Sequence, residues 1–225
     1  MALHLHSFFN SSTSYRVRIA LALKGVPHDV LGVDIRADAH RAPAFMPALA
    51  ASAAVPLLSD DDGFSLGQSL AIIDWLDSRW PEPRLVPLDP LLRARVLEFA
   101  YLIACDIHPV NNLRVLRYLG RELGADADAR DRWYRHWIAE GMAAVERLLL
   151  GHGRPPWCFG DAPTLADCCL VPQIFNAVRM GCDTAPYPLA MAVHAHATAH
   201  PAFIAAAPRN QPDFDQQVDQ QARRD

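Results

Sequence analysis

A dense run of prolines divides this sequence into two parts with different periodicities. Four of the 18 prolines fall within residues 80–90, which read WPEPRLVPLDP. Proline fixes φ and lacks a backbone N–H, so this density excludes a long helix or a central strand and is typical of a stiff linker. Strand and helix patterns alternate before the linker, whereas almost every pattern after it is helical. The sequence therefore predicts an α/β domain followed by an all-α domain.

The domain boundaries follow from that change in pattern. We expect an α/β domain over residues 1–81, a proline-rich linker over 82–90, an all-helical domain over 91–215 and a polar tail over 216–225. With 225 residues, of which 51% are hydrophobic, the chain can bury a sizeable core without disulfide or metal staples.

The first domain is predicted to run strand, helix, strand, helix, strand, strand, helix. A serine-rich turn at 11–14 precedes a helix that Gly25 ends. Further elements are expected as a strand over 28–35, a helix over 38–49 broken by two prolines, a hairpin around the turn 59–63 and a helix over 68–79. A helical crossover implies partly parallel pairing, and the hairpin is antiparallel.

The second domain shows helical periodicity throughout. We expect a long helix over 91–119 that is kinked at Pro109, and a helix that begins at Asp126 or Asp128 and is ended by Gly151. Thr164 and Asp167 have the spacing of a capping box that opens a helix reaching about Met180. Shorter helices fit residues 188–197 and 201–206.

Charge and hydropathy exclude several classes of protein. The formal net charge is -4, which argues against a nucleic-acid partner. No segment approaches the ~18 apolar residues that span a bilayer, and the opening residues do not resemble a signal peptide, so we expect no membrane partner.

The cysteines and histidines predict neither a disulfide framework nor a metal site. Five cysteines without framework spacing indicate reduced thiols and a cytoplasmic location. Cys105 and His108 lack a second ligand pair nearby, and His194 and His196 point to different helix faces.

Polar residues of the first domain are open to two interpretations. The hydroxyls of Ser11, Ser12 and Thr13 lie where a helix N-terminus could acidify a bound thiol, although serine and threonine are also the commonest helix caps. Val55–Pro56 fits either a backbone recognition site or a plain proline turn. Gln68–Ser69 fits either an anion site at a helix N-terminus or an ordinary cap.

Polar residues also interrupt the apolar helices of the second domain. His108 and Asn112 share a helix face, and Asp106 and Arg114 lie on either side of them in sequence. Arg179 lies near the end of the helix that begins at Thr164. All of these residues could belong to a ligand site. Alternatively, those at 106–114 form a solvated helix face and Arg179 compensates a helix dipole.

Four segments carry a resemblance to a known family. They are SSTSYRVRIALALKG at 11–25, VP at 55–56 followed by GQSLAIIDWL at 67–76, CDIHPVNNLRVL at 105–116 and FGDAPTLADCCLVPQ at 159–173. Together they resemble the zeta-class glutathione transferases, a class that includes maleylacetoacetate isomerase and maleylpyruvate isomerase.

The resemblance implies a thioredoxin-like N-terminal domain, a helical C-terminal domain, a homodimer, and glutathione as a cofactor that is regenerated. The thiolate would add to the cis double bond of a maleyl dicarboxylate, and its departure would leave the trans, fumaryl product. By the match, Ser11 would contact the sulfur with Ser12 and Thr13 beside it. The residues that would bind glutathione are Val55 and Pro56 (joined by a cis bond), Gln68, Ser69, Asp106, His108 and Asn112. Arg114 and Arg179 would bind the carboxylates of the substrate.

The sequence departs from the pattern of the class in three places. Thr13 stands where these isomerases usually have cysteine, Asn10 where arginine is common, and Ala50-Ala51-Ser52 where Asn-Pro-Gln is common. Two other functions therefore stay open, which are a transferase that conjugates glutathione to small electrophiles such as haloacids, and a non-catalytic thioredoxin-like binding protein. Consumption of thiol would distinguish the first from an isomerase.

Overall fold

The computed structural model describes residues 2–42 and 52–215. The predicted tail over 216–225, most of the predicted helix over 38–49 and the residues Ala50 and Ala51 lie outside them. The described elements are β1 (Leu3–Ser7), α1 (Ser12–Lys24), β2 (Asp29–Gly32), β3 (Leu57–Asp60), β4 (Ser65–Gly67), α2 (Ser69–Arg79), α3 (Pro90–Tyr101), α4 (Leu113–Arg121), α5 (Ala127–His152), α6 (Leu165–Arg179), α7 (Pro188–Thr198) and α8 (Pro201–Ala206).

The described residues form two compact units, and their division differs from the predicted one. The first unit contains residues up to 85 together with 199–215, and the second contains 86–198. The helical pattern of 199–215 predicts that this segment belongs to the second domain. The segment returns to the first unit because the buried guanidinium of Arg18 binds the carbonyl of Ala206, with Nε and O 3.0 Å apart.

The first unit contains a four-stranded mixed sheet in the order β2-β1-β3-β4. β1 and β2 are parallel and joined by α1, whereas β3 pairs antiparallel with both β1 and β4. Leu5 faces Val30 across one ladder and Leu58 across the other. The alternation of apolar residues in β1 and the turn before β4 thus led to the correct strand order along the chain, including the antiparallel hairpin.

α1 is buried on nearly all sides, which its sequence does not suggest. Ser11 caps its N-terminus, and Gly25 ends it with φ of 61°, as predicted. Lys24 has no exposed side-chain surface, and its Nζ lies 2.7 Å from a carboxylate oxygen of Asp77. The ammonium also donates to the carbonyls of Trp80 and Pro83, so the charge is fully partnered. This pair connects the ends of α1 and α2.

The predicted long helix over 91–119 is divided into four shorter segments. α3 ends at Tyr101, a π-helical turn follows over Leu102–Ile107, and a 3₁₀ turn over Pro109–Asn111 precedes α4. The main break is at Asn112, whose extended backbone (ψ 148°) lets its side chain cap α4. Pro109 opens the 3₁₀ turn instead of kinking one continuous helix.

Gly141 allows the π-helical turn to pack closely against α5. A Cβ at this position would lie only 2.2 Å from Cγ1 of the buried Ile107.

Asp126 caps α5, as one of our two alternatives predicted. The helix ends at His152, so Gly151 lies inside it and does not end it.

Thr164 and Asp167 form the predicted capping box at the start of α6. The buried carboxylate of Asp167 accepts from the backbone N–H groups of Cys158 and Thr164, each at 2.8 Å. Burial raises the pKa of Asp167, and these hydrogen bonds oppose that shift.

Among the helices of residues 2–42 and 52–215, we find no candidate for a membrane-spanning segment.

Candidate active site

A chain of hydroxyl groups occupies the N-terminus of α1. Thr13 Oγ1 donates to the carbonyl of Val55 at 3.1 Å, and Ser11 Oγ lies 2.9 Å from Thr13 Oγ1. Because Thr13 has one hydroxyl proton, Ser11 is the donor in the second bond. Ser11 Oγ also accepts from the backbone N–H of Ser14 at 3.2 Å, as expected for a cap. Ser11 can therefore turn its proton toward an arriving anion at the loss of one bond to Thr13.

This series of hydroxyl groups connects two of the sites predicted from the sequence, the serine-rich turn and Val55–Pro56. Val55–Pro56 is cis, as predicted, and the Val55 carbonyl receives the Thr13 hydroxyl. Ser12 is buried, while Ser11 and Thr13 are half-buried. Asn10 is 8% exposed, and its Oδ1 has no hydrogen-bond partner in the described part of the chain. The departure noted at this position thus leaves a buried amide oxygen beside the hydroxyl chain.

A buried cation of α1, which sequence reasoning missed, reaches the N-terminus of α2. Ser69 is the first residue of α2 and is buried, and Gln68 before it has a positive φ of 67°. Arg16, which is 2% exposed, directs Nη1 at Ser69 Oγ at 3.4 Å. Arg16 Nε has no hydrogen-bond partner within residues 2–42 and 52–215. Free helix N–H groups and a buried guanidinium together favour an anion here.

In the second unit, the structure brings together His108 and Asn112. Asn112 Nδ2 lies 3.4 Å from His108 Nε2. The predicted shared helix face is not present, because a 3₁₀ turn and the extended backbone of Asn112 bring the two side chains together instead. Asn112 Oδ1 accepts from the backbone N–H of Arg114 at 3.1 Å. Asp106 is exposed and lines a different feature, a groove of about 450 Å³ that also includes Cys105 and Arg147.

The two arginines of the second unit differ in environment. The predicted helix over 91–119 would place Arg114 near its C-terminal end. Arg114 is instead exposed in the first turn of α4, because the helix begins only at Leu113. Arg179 ends α6 as predicted, is half-buried, and acts electrostatically on Tyr134. Burial raises the pKa of Tyr134 to about 12, and the Arg179 charge opposes this shift.

The described residues contain no group of three or more histidine, cysteine, aspartate and glutamate side chains that could hold a metal ion. All five cysteines are free. Cys168 and Cys169 are both fully buried.

Comparison with known families decides the classification. The model described as "Glutathione S-transferase, N-terminal domain" matches residues 10–79, and "Glutathione S-transferase, C-terminal domain" matches residues 127–208. A maleylacetoacetate isomerase of Pseudomonas aeruginosa is 47% identical over 211 residues, covering 93% of this chain and 97% of that protein.

The chain belongs to the glutathione transferase family. A solved holo structure of a maleylpyruvate isomerase, described as a bacterial glutathione S-transferase of the zeta class, is 46% identical with a TM-score of 0.90 and covers 94% of this chain and 100% of its own. The maleylacetoacetate isomerase of Anaeromyxobacter dehalogenans, solved with glutathione bound in its active site, is 40% identical with a TM-score of 0.85 and covers 95% of this chain and 98% of its own. The predicted family and fold class are confirmed.

The residues of the first unit fit a bound glutathione by their own chemistry. The hydroxyl of Ser11 is a donor for a thiolate, and the free N–H groups at the start of α2 with Arg16 form a positive site for a carboxylate. Val55 offers backbone groups beside the hydroxyl chain. The unpartnered Nε of Arg16, buried among the described residues, is the observation that most favours an anionic ligand over a purely structural cap.

Proposed function

We propose that this enzyme is a glutathione-dependent cis–trans isomerase of a maleyl keto acid, maleylacetoacetate or maleylpyruvate, in the breakdown of aromatic compounds. The observation that carries the proposal is the hydroxyl chain from Ser11 through Thr13 to Val55 at the N-terminus of α1. Support also comes from the names of the relatives, which are isomerases of these two substrates.

When bound, glutathione supplies a thiolate that adds to the activated cis double bond and leaves again after rotation about the single bond. The protein must favour that thiolate. Lowering a thiol pKa from ~8.5 by two units requires ~2.7 kcal/mol. The N-terminus of α1 contributes ~0.3–1 kcal/mol, or ~2 kcal/mol when partly buried. A donated hydroxyl adds ~1.5–3 kcal/mol, so the helix and Ser11 suffice together, whereas the helix alone falls short.

The remaining predicted residues would hold the peptide and the substrate. Ser69, with Arg16 behind it, would bind a carboxylate of glutathione, and Val55 would bind its backbone as an added strand does. Arg114 and Arg179 would bind the substrate carboxylates, because a guanidinium pairs with a carboxylate through two parallel hydrogen bonds. Asp106, His108 and Asn112 are proposed as further contacts of glutathione.

A test of the reaction follows product and free thiol together. Each maleyl substrate is incubated with the enzyme, with and without glutathione, and the double-bond geometry of the product is read by NMR. We expect glutathione-dependent formation of the fumaryl product with no net loss of thiol. Stoichiometric thiol loss would support the conjugating transferase instead. Glutathione binding without turnover of either compound would support the non-catalytic binding protein.

We also propose a homodimer in the cytoplasm. The resemblance to the zeta class supports the dimer, and the free cysteines suit a reducing compartment. Light scattering of the purified protein tests the oligomeric state, and a monomer at working concentration would contradict it.

A further inference from the structure

The loop between β1 and α1 is held by a segment more than 180 residues away in sequence. This loop, Ser7–Asn10, immediately precedes Ser11, so its conformation decides where the Ser11 hydroxyl lies. Two of its residues, Phe8 and Phe9, are buried, and their rings are in tilted contact with centroids 4.8 Å apart. Phe9 also makes an edge contact with Phe214, with centroids 5.4 Å apart.

Arg18 holds the loop from inside the unit. It is 2% exposed, and its guanidinium donates to Ser7 Oγ at 3.0 Å, to the Phe8 carbonyl at 3.3 Å and to the Phe9 carbonyl at 3.0 Å. The Phe8 carbonyl is also the acceptor of the Ser11 backbone N–H at 2.9 Å. Arg18 and Ser11 are therefore linked through one shared peptide oxygen.

Asp213 holds the same loop from the C-terminal segment. Its Oδ2 accepts from the backbone N–H of Phe9 at 2.8 Å, although the two residues are 204 positions apart. Its charge acts on Arg18 and opposes the effect of burial, which lowers the pKa of Arg18 to about 10. Gly32 of β2 leaves the room for this contact, since a Cβ there would lie 3.0 Å from Asp213 Cβ.

Neither Arg18 nor Asp213 belongs to the hydroxyl chain at the N-terminus of α1. Because buried backbone groups need partners, losing the Asp213 carboxylate would leave the Phe9 N–H buried and unpaired. The loop would relax by rotating the peptide group between Phe8 and Phe9. This rotation would move the Phe8 carbonyl, which accepts from the backbone N–H of Ser11.

We propose that Asp213 and Arg18 are positioning residues that hold the Ser7–Asn10 loop, and through it the Ser11 hydroxyl, in the orientation that ionises the thiol of bound glutathione. The C-terminal segment thereby becomes part of the catalytic apparatus without touching the substrate. This inference rests on the proposed binding of glutathione at Ser11.

Variants of Asp213 test the proposal, because Arg18 variants risk misfolding. Asp213→Ala removes the acceptor for Phe9, whereas Asp213→Asn keeps an acceptor oxygen and loses the charge. Asp62→Asn is the matched control, since Asp62 is an exposed carboxylate of the same unit in the turn between β3 and β4. Gly32→Ala is a second, independent variant that displaces the segment while leaving Asp213 unchanged.

Two readouts other than turnover are used. The pKa of the bound thiol is read from thiolate absorbance as the enzyme–glutathione complex is titrated, and hydrogen exchange of the Phe9 and Ser11 amides is measured in the free enzyme. We expect Asp213→Ala to raise the pKa of the bound thiol by about one unit, which is a tenfold loss of thiolate at a pH below the pKa. The same variant should speed hydrogen exchange of both amides at least tenfold. Asp213→Asn should stay close to the wild type in both measurements, because it keeps the acceptor for Phe9. Gly32→Ala should change both in the same direction as Asp213→Ala, but by less.

The outcomes separate this inference from the proposed function. If the wild-type complex shows no thiolate, the function is contradicted. If the wild type ionises the thiol, and Asp213→Ala has an unchanged thiol pKa and lowers only the melting temperature, then the segment is purely structural and our inference is overturned. Equal effects in Asp213→Asn and Asp213→Ala would also contradict it, because the acceptor for Phe9 would then be irrelevant.

Discussion

At the scale of single residues, Ser11 has two roles that substitutions can separate. It caps α1 by accepting from Ser14, and it is the donor in the bond to Thr13. Its assignment as the thiolate donor stays a prediction. Glycine is nearly as good a cap as serine but has no hydroxyl. Ser11→Gly therefore isolates the second role.

We expect Ser11→Ala and Ser11→Gly to lower kcat/KM by about 10- to 100-fold, since a hydrogen bond to a charged group is worth ~1.5–3 kcal/mol. Ser11→Ala should also lose ~1 kcal/mol of stability, and Ser11→Gly only a few tenths. Ser12→Ala and Thr13→Ala should lose less activity. Steady-state kinetics and denaturant unfolding measure both quantities. Comparable activity losses at all three positions would indicate a shared cap in place of one donor.

His6 of β1 makes the stability of the protein depend on pH. It is buried, and its Nε2 lies 3.0 Å from Ser59 Oγ. Burial, with a smaller contribution from His4, lowers the pKa of His6 below its ordinary value of 6.5. In the unfolded chain the imidazole binds a proton more readily than in the fold, so stability is full above pH 6.5 and is lost as the pH falls toward the folded pKa.

We therefore expect the free energy of unfolding to decrease when the pH falls from 7.5 to 5.5, and His6→Asn to show a shallower decrease. His194, whose pKa burial also lowers, adds to the slope in both proteins. His152→Gln at the exposed end of α5 is the control and should keep the wild-type slope. Denaturant titrations at each pH give the comparison, and an unchanged slope in His6→Asn would refute the assignment.

At the scale of elements, Gly141 and the π-helical turn depend on each other. α5 can approach Leu102–Ile107 only because residue 141 has no Cβ to meet Ile107. The turn precedes His108 and Asn112, two of the proposed glutathione contacts. Its position is thus set by packing from α5 and not by its own sequence.

We expect Gly141→Ala to destabilise the protein by ~1–3 kcal/mol through overpacking, despite the higher helix propensity of alanine. Adding Ile107→Val or Ile107→Ala, which removes atoms at the contact, should restore part of the loss. Gly151→Ala, where a Cβ would meet nothing within 4 Å, is the matched control and should be neutral or stabilising. Thermal unfolding of the wild type and these variants measures the changes. A Gly141→Ala protein as stable as the wild type would show that the π-helical turn accommodates the added methyl group without loss of stability.

At the scale of the whole molecule, substrate recognition is predicted to depend on two arginines in the second unit. Arg114→Met and Arg179→Met should raise the KM for the maleyl substrate and leave glutathione affinity little changed. The effect should be roughly tenfold or more at Arg179, because a half-buried charge pair is worth more than an exposed one. At the exposed Arg114 it should be smaller.

Lysine at either position should restore only part of the activity, since a point charge lacks the fork geometry of a guanidinium. Arg121→Met in the exposed last turn of α4 is the control and should behave as the wild type. Kinetics with both substrates varied give the measurement. Unchanged kinetics in both methionine variants would leave Arg179 as compensation of the α6 dipole and Arg114 as an exposed surface residue.

Local patterns predicted the parts of this protein that depend on local interactions. The caps at Ser11, Asp126 and Thr164 and the start of the helix 201–206 are side chains that accept from neighbouring backbone N–H groups. Gly25 ends α1 because glycine adopts a positive φ without steric cost. The motifs at 11–25 and 105–116 led to the family. The candidate residues of the first unit were named for the same reason, because they lie at element ends that the sequence marks.

Tertiary packing decided what those patterns could not show. Arg16, Arg18 and Lys24 are charged residues of the kind that a helix usually exposes, yet all three are buried because α2 and α8 pack against α1. Their acceptors come from α2, from α8, from residues just after α2 and from the loop before α1. The return of 199–215 to the first unit depends on such acceptors, contributed by residues about 200 positions away. The π-helical turn depends likewise on a missing side chain in another helix. Since burial and hydrogen-bond partners are properties of the folded chain, periodicity along the sequence carries no record of them.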